Sequence, residues 1–120
     1  MATGKPVEVA YFYKVKWGCQ DEFMALFRKN HYPLLKAQVE SGRLLGIRAY
    51  TPKFHGDGRN DWTFMTVLTF RDWEALGASS EKELAERLFP DRDAFQREER
   101  RRFEIVEAHW DTPLREAPME

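Results

Sequence analysis

Between Val7 and Lys16 apolar and polar side chains alternate, the period-two pattern of a strand. Val7, Val9, Tyr11, Tyr13 and Val15 share one face, and Glu8, Ala10, Phe12, Lys14 and Lys16 share the other. The large aromatic Phe12 in the second set predicts that this face is also partly covered. After the turn Trp17-Gly18 the period changes. From Asp21 to Glu40 the residues Phe23, Leu26, Phe27, Leu34 and Ala37 fall on one helical stripe, with Gln20 or Asp21 able to cap it. Asn30 lies within that stripe and His31 on its flank. Pro33 removes a backbone donor and predicts a kink. Gly42, after Ser41, predicts a left-handed stop.

Leu44 to Thr51 predicts a second strand, with Leu45, Ile47 and Ala49 on one face and Gly46, Arg48 and Tyr50 on the other. Pro52 to Asn60 carries a proline and two glycines and predicts a long hairpin loop. Asp61 to Phe70 is rich in aromatic, β-branched and threonine residues and predicts the third strand. Arg71 to Leu76 predicts a short helix. Ser80 and Glu83 fit a capping box for a further helical piece that Pro90 ends. Asp91 to Phe103 predicts a highly charged helix anchored by Phe95, and Glu104 to Thr112 a last strand.

The order β-α-β-β-α-β is that of a ferredoxin-like α+β fold. Right-handed crossovers then give one four-stranded antiparallel sheet, order 4-1-3-2, with both helical layers on one face. The opposite face is left bare. Phe12, Tyr50, Trp62 or Phe64, and Trp110 would form an apolar patch there larger than monomers usually expose. A two-fold homodimer, sheet face against sheet face, would cover it.

A length of 120 residues predicts one domain, here 7–112, with a flexible N-terminus 1–6 and a C-terminal extension 113–120. The chain has 19 basic and 20 acidic residues, a balance that argues against a nucleic-acid partner. One cysteine, Cys19, excludes an internal disulfide framework and a structural zinc cluster. Without a run of about 18 apolar residues no membrane helix is expected. Without an apolar stretch near the N-terminus no secretory signal is expected, and the cytoplasm is the expected location.

The run Y-K-V-K-W-G-C-Q-D-E-F from Tyr13 to Phe23 resembles a strand, turn and helix opening of the dimeric α+β barrel superfamily. N-H-Y-P-L-L from Asn30, L-L-G-I-R-A-Y from Leu44 and V-L-T-F-R-D-W-E-A-L from Val67 are similar to its NIPSNAP-like and antibiotic-biosynthesis-monooxygenase-like branches. The resemblance covers most of 7–112 and rests on pattern more than on a diagnostic string. It implies a homodimer enclosing a barrel-like cavity. Members include cofactor-free monooxygenases, polyketide cyclases, lactone isomerases and haem-degrading enzymes. The haem-degrading relatives use an Asn on the first strand, a Trp on the third and a His on the second helix. Only Trp62 has a counterpart here, so haem binding or degradation ranks last.

The candidate site residues are polar and aromatic side chains on strand faces. If Leu45, Ile47 and Ala49 face the helices, Arg48 and Tyr50 face the cavity, joined by Glu8, Lys14, Glu107 and His109. A mixed-sign cluster in a concave site predicts a pocket, an interfacial salt-bridge network being the competing reading. His109 is the first choice for acid–base chemistry, with Glu107 able to tune it. His31, just before the Pro33 kink, points to the cavity mouth or satisfies the local backbone. Phe12, Trp62 and Trp110 can line a cavity for an aromatic ligand, whereas the four tryptophans as a set are first of all packing anchors. His55, Asp57 and Asp61 match no strong metal motif, and Cys19 has no base beside it. The run Arg97 to Arg102 reads as a solvated helix face.

Three functions follow. The first is a homodimer that binds a small apolar or aromatic molecule between sheet and helices. The second is a cofactor-independent monooxygenase, isomerase or cyclase using His109 with Arg48 and Tyr50. The third is the haem reading. No metal or cofactor is expected in the first two.

Overall fold

In the computed structural model, which describes residues 4–53 and 62–119, the alternating run at the start becomes β1 (Val7–Val15). The predicted long helix is three pieces: α1 (Gln20–Leu26), a π-helical segment (Phe27–His31) and α2 (Tyr32–Glu40). β2 (Leu44–Tyr50) and β3 (Phe64–Phe70) follow, then α3 (Trp73–Gly77), α4 (Glu81–Leu88), α5 (Arg92–Glu104) and β4 (Val106–Leu114). The strands form one antiparallel sheet in the order β2-β3-β1-β4, the expected ferredoxin-like arrangement. The sheet is open, and β2 and β4 are its edges.

Register assigns every side chain to a face, because strand neighbours paired across the ladder point the same way. Val7, Val9, Tyr11 and Tyr13 pair with Phe70, Leu68, Thr66 and Phe64. This is the helix-covered face, and it holds the core with Phe23, Phe27, Leu35, Leu44 and Ile105. Four aromatic rings tie sheet to helices. Tyr13 lies 5.2 Å from Phe23 and 5.9 Å from Phe64, centroid to centroid, and Phe27 lies 5.0 Å from Phe64. Arg43 fastens α3 to the sheet by donating to the carbonyls of Ala75 and Leu76 at 2.7 and 2.9 Å.

Several local expectations are corrected. A bulge between Leu44 and Gly46 puts Leu44 into the core and turns Leu45 outward, 54% exposed. The expected helix-facing set Leu45, Ile47, Ala49 therefore starts one residue off. Ser80 is the N-cap of α4 but its side chain makes no capping bond; the Ser79 hydroxyl accepts from the Glu81 N–H instead. Cys19, not Gln20 or Asp21, is the N-cap of α1. Pro113 and Leu114, expected in a loose extension, continue β4 alongside Val9 and Glu8 of β1. Trp17 and Trp73, expected as packing anchors, are 87% and 65% exposed. His55, Asp57 and Asp61 lie outside the described residues.

Candidate functional site

The residues expected to act together are divided between the two faces of the sheet. Arg48 pairs with Val67, Tyr50 with Met65, and Phe12 with Met65 and Trp110, so these lie on the face without helices. Trp62 meets Phe12 edge-on at 5.8 Å and Trp110 stacks on Phe12 at 5.3 Å. Arg48 is held by Glu8 at 2.7 Å, both side chains largely solvated. An exposed pair of this kind adds little stability, but it places a polar edge beside the aromatic patch.

His109 lies on the opposite, helix-covered side. It pairs with Tyr13 in the ladder and stacks on its ring at 4.1 Å. The period-two rule makes this inevitable, since Trp110 next to it faces the other way. A bulge at Lys14 and Val15 leaves Glu107 between Ala108 and Val106, away from any pairing partner. The His109 Nδ1 is 2.8 Å from the Phe12 carbonyl. A carbonyl only accepts, so Nδ1 carries a proton and donates it there.

His31 reaches the same side by way of the π-helical segment. The Tyr32 N–H bonds back five residues to the Phe27 carbonyl, which widens the turn. Pro33 follows immediately and offers no N–H to the preceding turn. Such single π turns are frequent at functional sites, and here the turn presents Asn30 and His31 inward together. Asn30 is buried and donates to Glu98 Oε1 at 3.0 Å. The His31 ring packs against Phe27 at 5.0 Å.

Around His31 stand groups that sequence reasoning missed. Arg102 of α5 is buried, 2% exposed. Its Nε and Nη2 donate to both carboxylate oxygens of Glu99 at 3.1 and 3.0 Å. Its Nη1 is buried and makes no hydrogen bond, and the same holds for His31 Nδ1. Glu81, at the start of α4, brings Oε1 to 3.8 Å from that Nδ1, too far for a hydrogen bond. Burial, then the Arg102 and His109 charges, push the His31 imidazole down to about 3. Burial and the nearby Glu99 push the Glu81 carboxyl up. Burial pushes the Tyr13 phenol up to about 12, with Arg102 pulling the other way. At neutral pH the site therefore holds the neutral His31 imidazole and the Tyr13 phenol beside the Arg102–Glu99 ion pair. Glu81 and His109 remain accessible.

The position of Arg102 had one sequence signal. It follows Phe95 by seven residues and precedes Ile105 by three, which puts it on the apolar stripe of α5 and not on the solvated face. Nothing in sequence spacing linked Glu81 to His31.

A concavity with a volume of about 600 Å³ opens where the ends of β1 and β3 meet α1. Trp17, Met24, Trp62 and Phe64 line it, with Lys14 and Glu107 at its polar edge. It gathers Trp62 and Glu107 but neither His31 nor His109. Among the described residues no group of three or more His, Cys, Asp or Glu side chains could hold a metal ion. No described helix is long and apolar enough to cross a membrane.

No family model matches the sequence, and no curated protein matches it. Solved structures do match. A NIPSNAP family protein from Agrobacterium tumefaciens superposes with a TM-score of 0.61 at 12% identity, over 100% of this chain and 93% of that one. A dimeric ferredoxin-like protein from an uncultured marine organism gives 0.59 at 6% identity, over 99% and 96%. A Bacteroides thetaiotaomicron protein, provisionally named an antibiotic biosynthesis monooxygenase, gives 0.54 at 9% identity, over 97% and 91%. These likenesses show the fold: a ferredoxin-like chain of the kind found in NIPSNAP and monooxygenase-like proteins.

Proposed function

We propose that the protein is a homodimer that binds a small, largely aromatic molecule between its sheet and its helices, with the polar end of the ligand at His31 and Arg102. The observation that carries this reading is the pair of buried, unpartnered polar atoms, His31 Nδ1 and Arg102 Nη1. An unmatched buried polar group costs on the order of 1–3 kcal/mol, a cost that a partner entering from outside and bonding to both atoms would remove. Tyr13, Phe27 and His109 supply ring surfaces around them. Ligand-observed NMR with an aromatic fragment set tests it. Hits should shift the ring signals of His31 and His109; hits confined to Trp62 and Trp17, or no hits, would remove the reading.

A second reading, a cofactor-independent enzyme, draws support from the opposite displacement of the Glu81 and His31 pKa values. Groups separated in this way suit general acid and base roles. Arg48 and Tyr50 lie on the face without helices and do not share a side with His109.

The dimer is supported by the aromatic patch of Phe12, Trp62 and Trp110 on the helix-free face and by neighbours named as dimeric ferredoxin-like proteins. Sedimentation of the wild type should give twice the chain mass. Phe12→Glu should shift it to the monomer mass, because a charge then sits at the centre of the buried face. A wild-type monomer at micromolar concentration would refute the dimer.

A further inference from the structure

We propose that the concavity where the ends of β1 and β3 meet α1 is a second binding site, and that it takes a planar aromatic carboxylate. It shares no residue with the site around His31 and Arg102, so the two readings stand or fall separately. Its volume of about 600 Å³ is in the range of small-molecule sites, which combine apolar surface with a few placed polar groups. Val15, Phe23 and Phe64 supply buried apolar surface, and Met24 and Trp62 are half-buried there. Trp17 also lines the concavity and is 87% exposed, beside the turn that Gly18 makes with φ of 82°. An indole left in water next to an apolar hollow gains contact area when a flat ring enters.

The polar lining decides the charge of the ligand. Four charged residues line the concavity: Lys14, Lys53, Asp21 and Glu107. Their signs balance, but their exposure does not. Lys53, Asp21 and Glu107 are exposed, and Lys14 alone is half-buried. Water and salt screen the first three, whereas a charge partly withdrawn from water acts more strongly on what lies beside it. Among the described residues Lys14 has no ion-pair partner. Two neutral donors join it, both half-buried in the same lining. Gln20 Oε1 accepts from the Gly18 N–H at 3.0 Å, which leaves the amide N–H groups of Gln20 to donate. Thr63 Oγ1 accepts from the Val15 N–H at 3.0 Å, and its hydroxyl proton has no acceptor among the described residues. The half-buried polar side chains are thus all donors, and the acidic acceptors stand in solvent. A carboxylate suits that set, since it accepts at two oxygens and pairs with an ammonium. A cationic ligand would meet Lys14 as a like charge.

Three probes of one shape test the claim at neutral pH: the anion cinnamate, the neutral cinnamamide and the cation cinnamylamine. Each is titrated into the whole chain, and binding is read from the indole ¹H–¹⁵N signals of Trp17 and Trp62, with the ring signals of His31 and His109 followed alongside. We expect cinnamate to move both indoles at the lowest concentration, with cinnamamide weaker by about tenfold, one charge-assisted hydrogen bond's worth, and cinnamylamine weaker again. Lys14→Gln should erase the difference between cinnamate and cinnamamide and leave cinnamamide binding unchanged. Lys14→Arg should restore the difference. If cinnamamide or cinnamylamine binds as tightly as cinnamate, or if Lys14→Gln keeps the preference for cinnamate, the carboxylate assignment falls. If no probe moves Trp17 or Trp62, the site itself falls. Shifts confined to His31 and His109 would also remove this site while supporting the binding reading above.

Discussion

Acidification from pH 6.5 towards pH 3 is expected to lower the folding stability steeply, and His31→Gln to remove most of that dependence. In the unfolded chain an imidazole takes up its proton near pH 6.5, whereas in the fold His31 does so only near about 3. Between those values the unfolded state binds more protons, so stability rises with pH. The His31 contribution is fully present above pH 6.5 and is lost as the pH falls. Its slope is about 1.4 kcal/mol per pH unit, up to about 4 to 5 kcal/mol over the whole window. The cause is burial first, then the Arg102 and His109 charges. Glu81 works the other way. Its folded pKa is raised, so its contribution is present below the ordinary carboxylate range and is lost as the pH rises through the folded value. The comparison of wild type with His31→Gln isolates the imidazole, because Glu81 is common to both. Urea unfolding at intervals from pH 7.5 to 3.5 provides the measurement, and parallel curves for the two proteins would show that His31 is solvated in the fold.

Glu99→Ala is expected to cost about 3 kcal/mol, because it leaves a buried guanidinium without its counter-ion. Arg102 is 2% exposed and Glu99 is its bidentate partner, itself only 21% exposed. Arg102→Leu should cost less. The abandoned carboxylate keeps some access to water, and leucine fits the apolar stripe of α5 beside Phe27 and Phe103, whose rings now lie 5.8 and 4.7 Å from the guanidinium carbon. The double substitution Glu99→Leu with Arg102→Leu should recover most of the loss, since replacing a buried ion pair by apolar groups is often neutral. Equal losses below about 1 kcal/mol for both single variants, the range of a surface pair, would mean that the pair is solvated and not part of a buried site. Recovery of stability in the double variant with loss of aromatic-fragment binding would separate the role of Arg102 in binding from its role in folding.

The strands were legible because their faces differ. Val7, Val9, Tyr13 and Val15 alternate with Glu8, Ala10, Phe12 and Lys14, of which all but Ala10 are partly exposed, and the sheet order follows by the crossover rule. Gly42, with φ of 86°, ends α2 where its position in the sequence indicated. The π turn was half legible. Pro33 signalled a break in the helix, but the sequence did not say that the turn would widen so as to present His31 and Asn30 inward. The mixing of His109 with Arg48 and Tyr50 failed at one point, the face of β4. A charged, ill-bounded junction between α5 and β4 hid the register there, and a shift of one residue exchanges the two faces. The run Arg97 to Arg102 concealed a buried arginine because its neighbours Arg100 and Arg101 are indeed exposed.

What the sequence determined by itself is the set of elements, their order and the apolar faces of the first and third strands, since these depend on residue types repeated at fixed local spacing. Tertiary structure alone decided the site. Glu81 meets His31 from fifty positions away, and Arg102 is buried only because α5 docks over Tyr13 and Phe27. Burial and the pairing of charges are properties of packed neighbours, and local spacing carries no record of them.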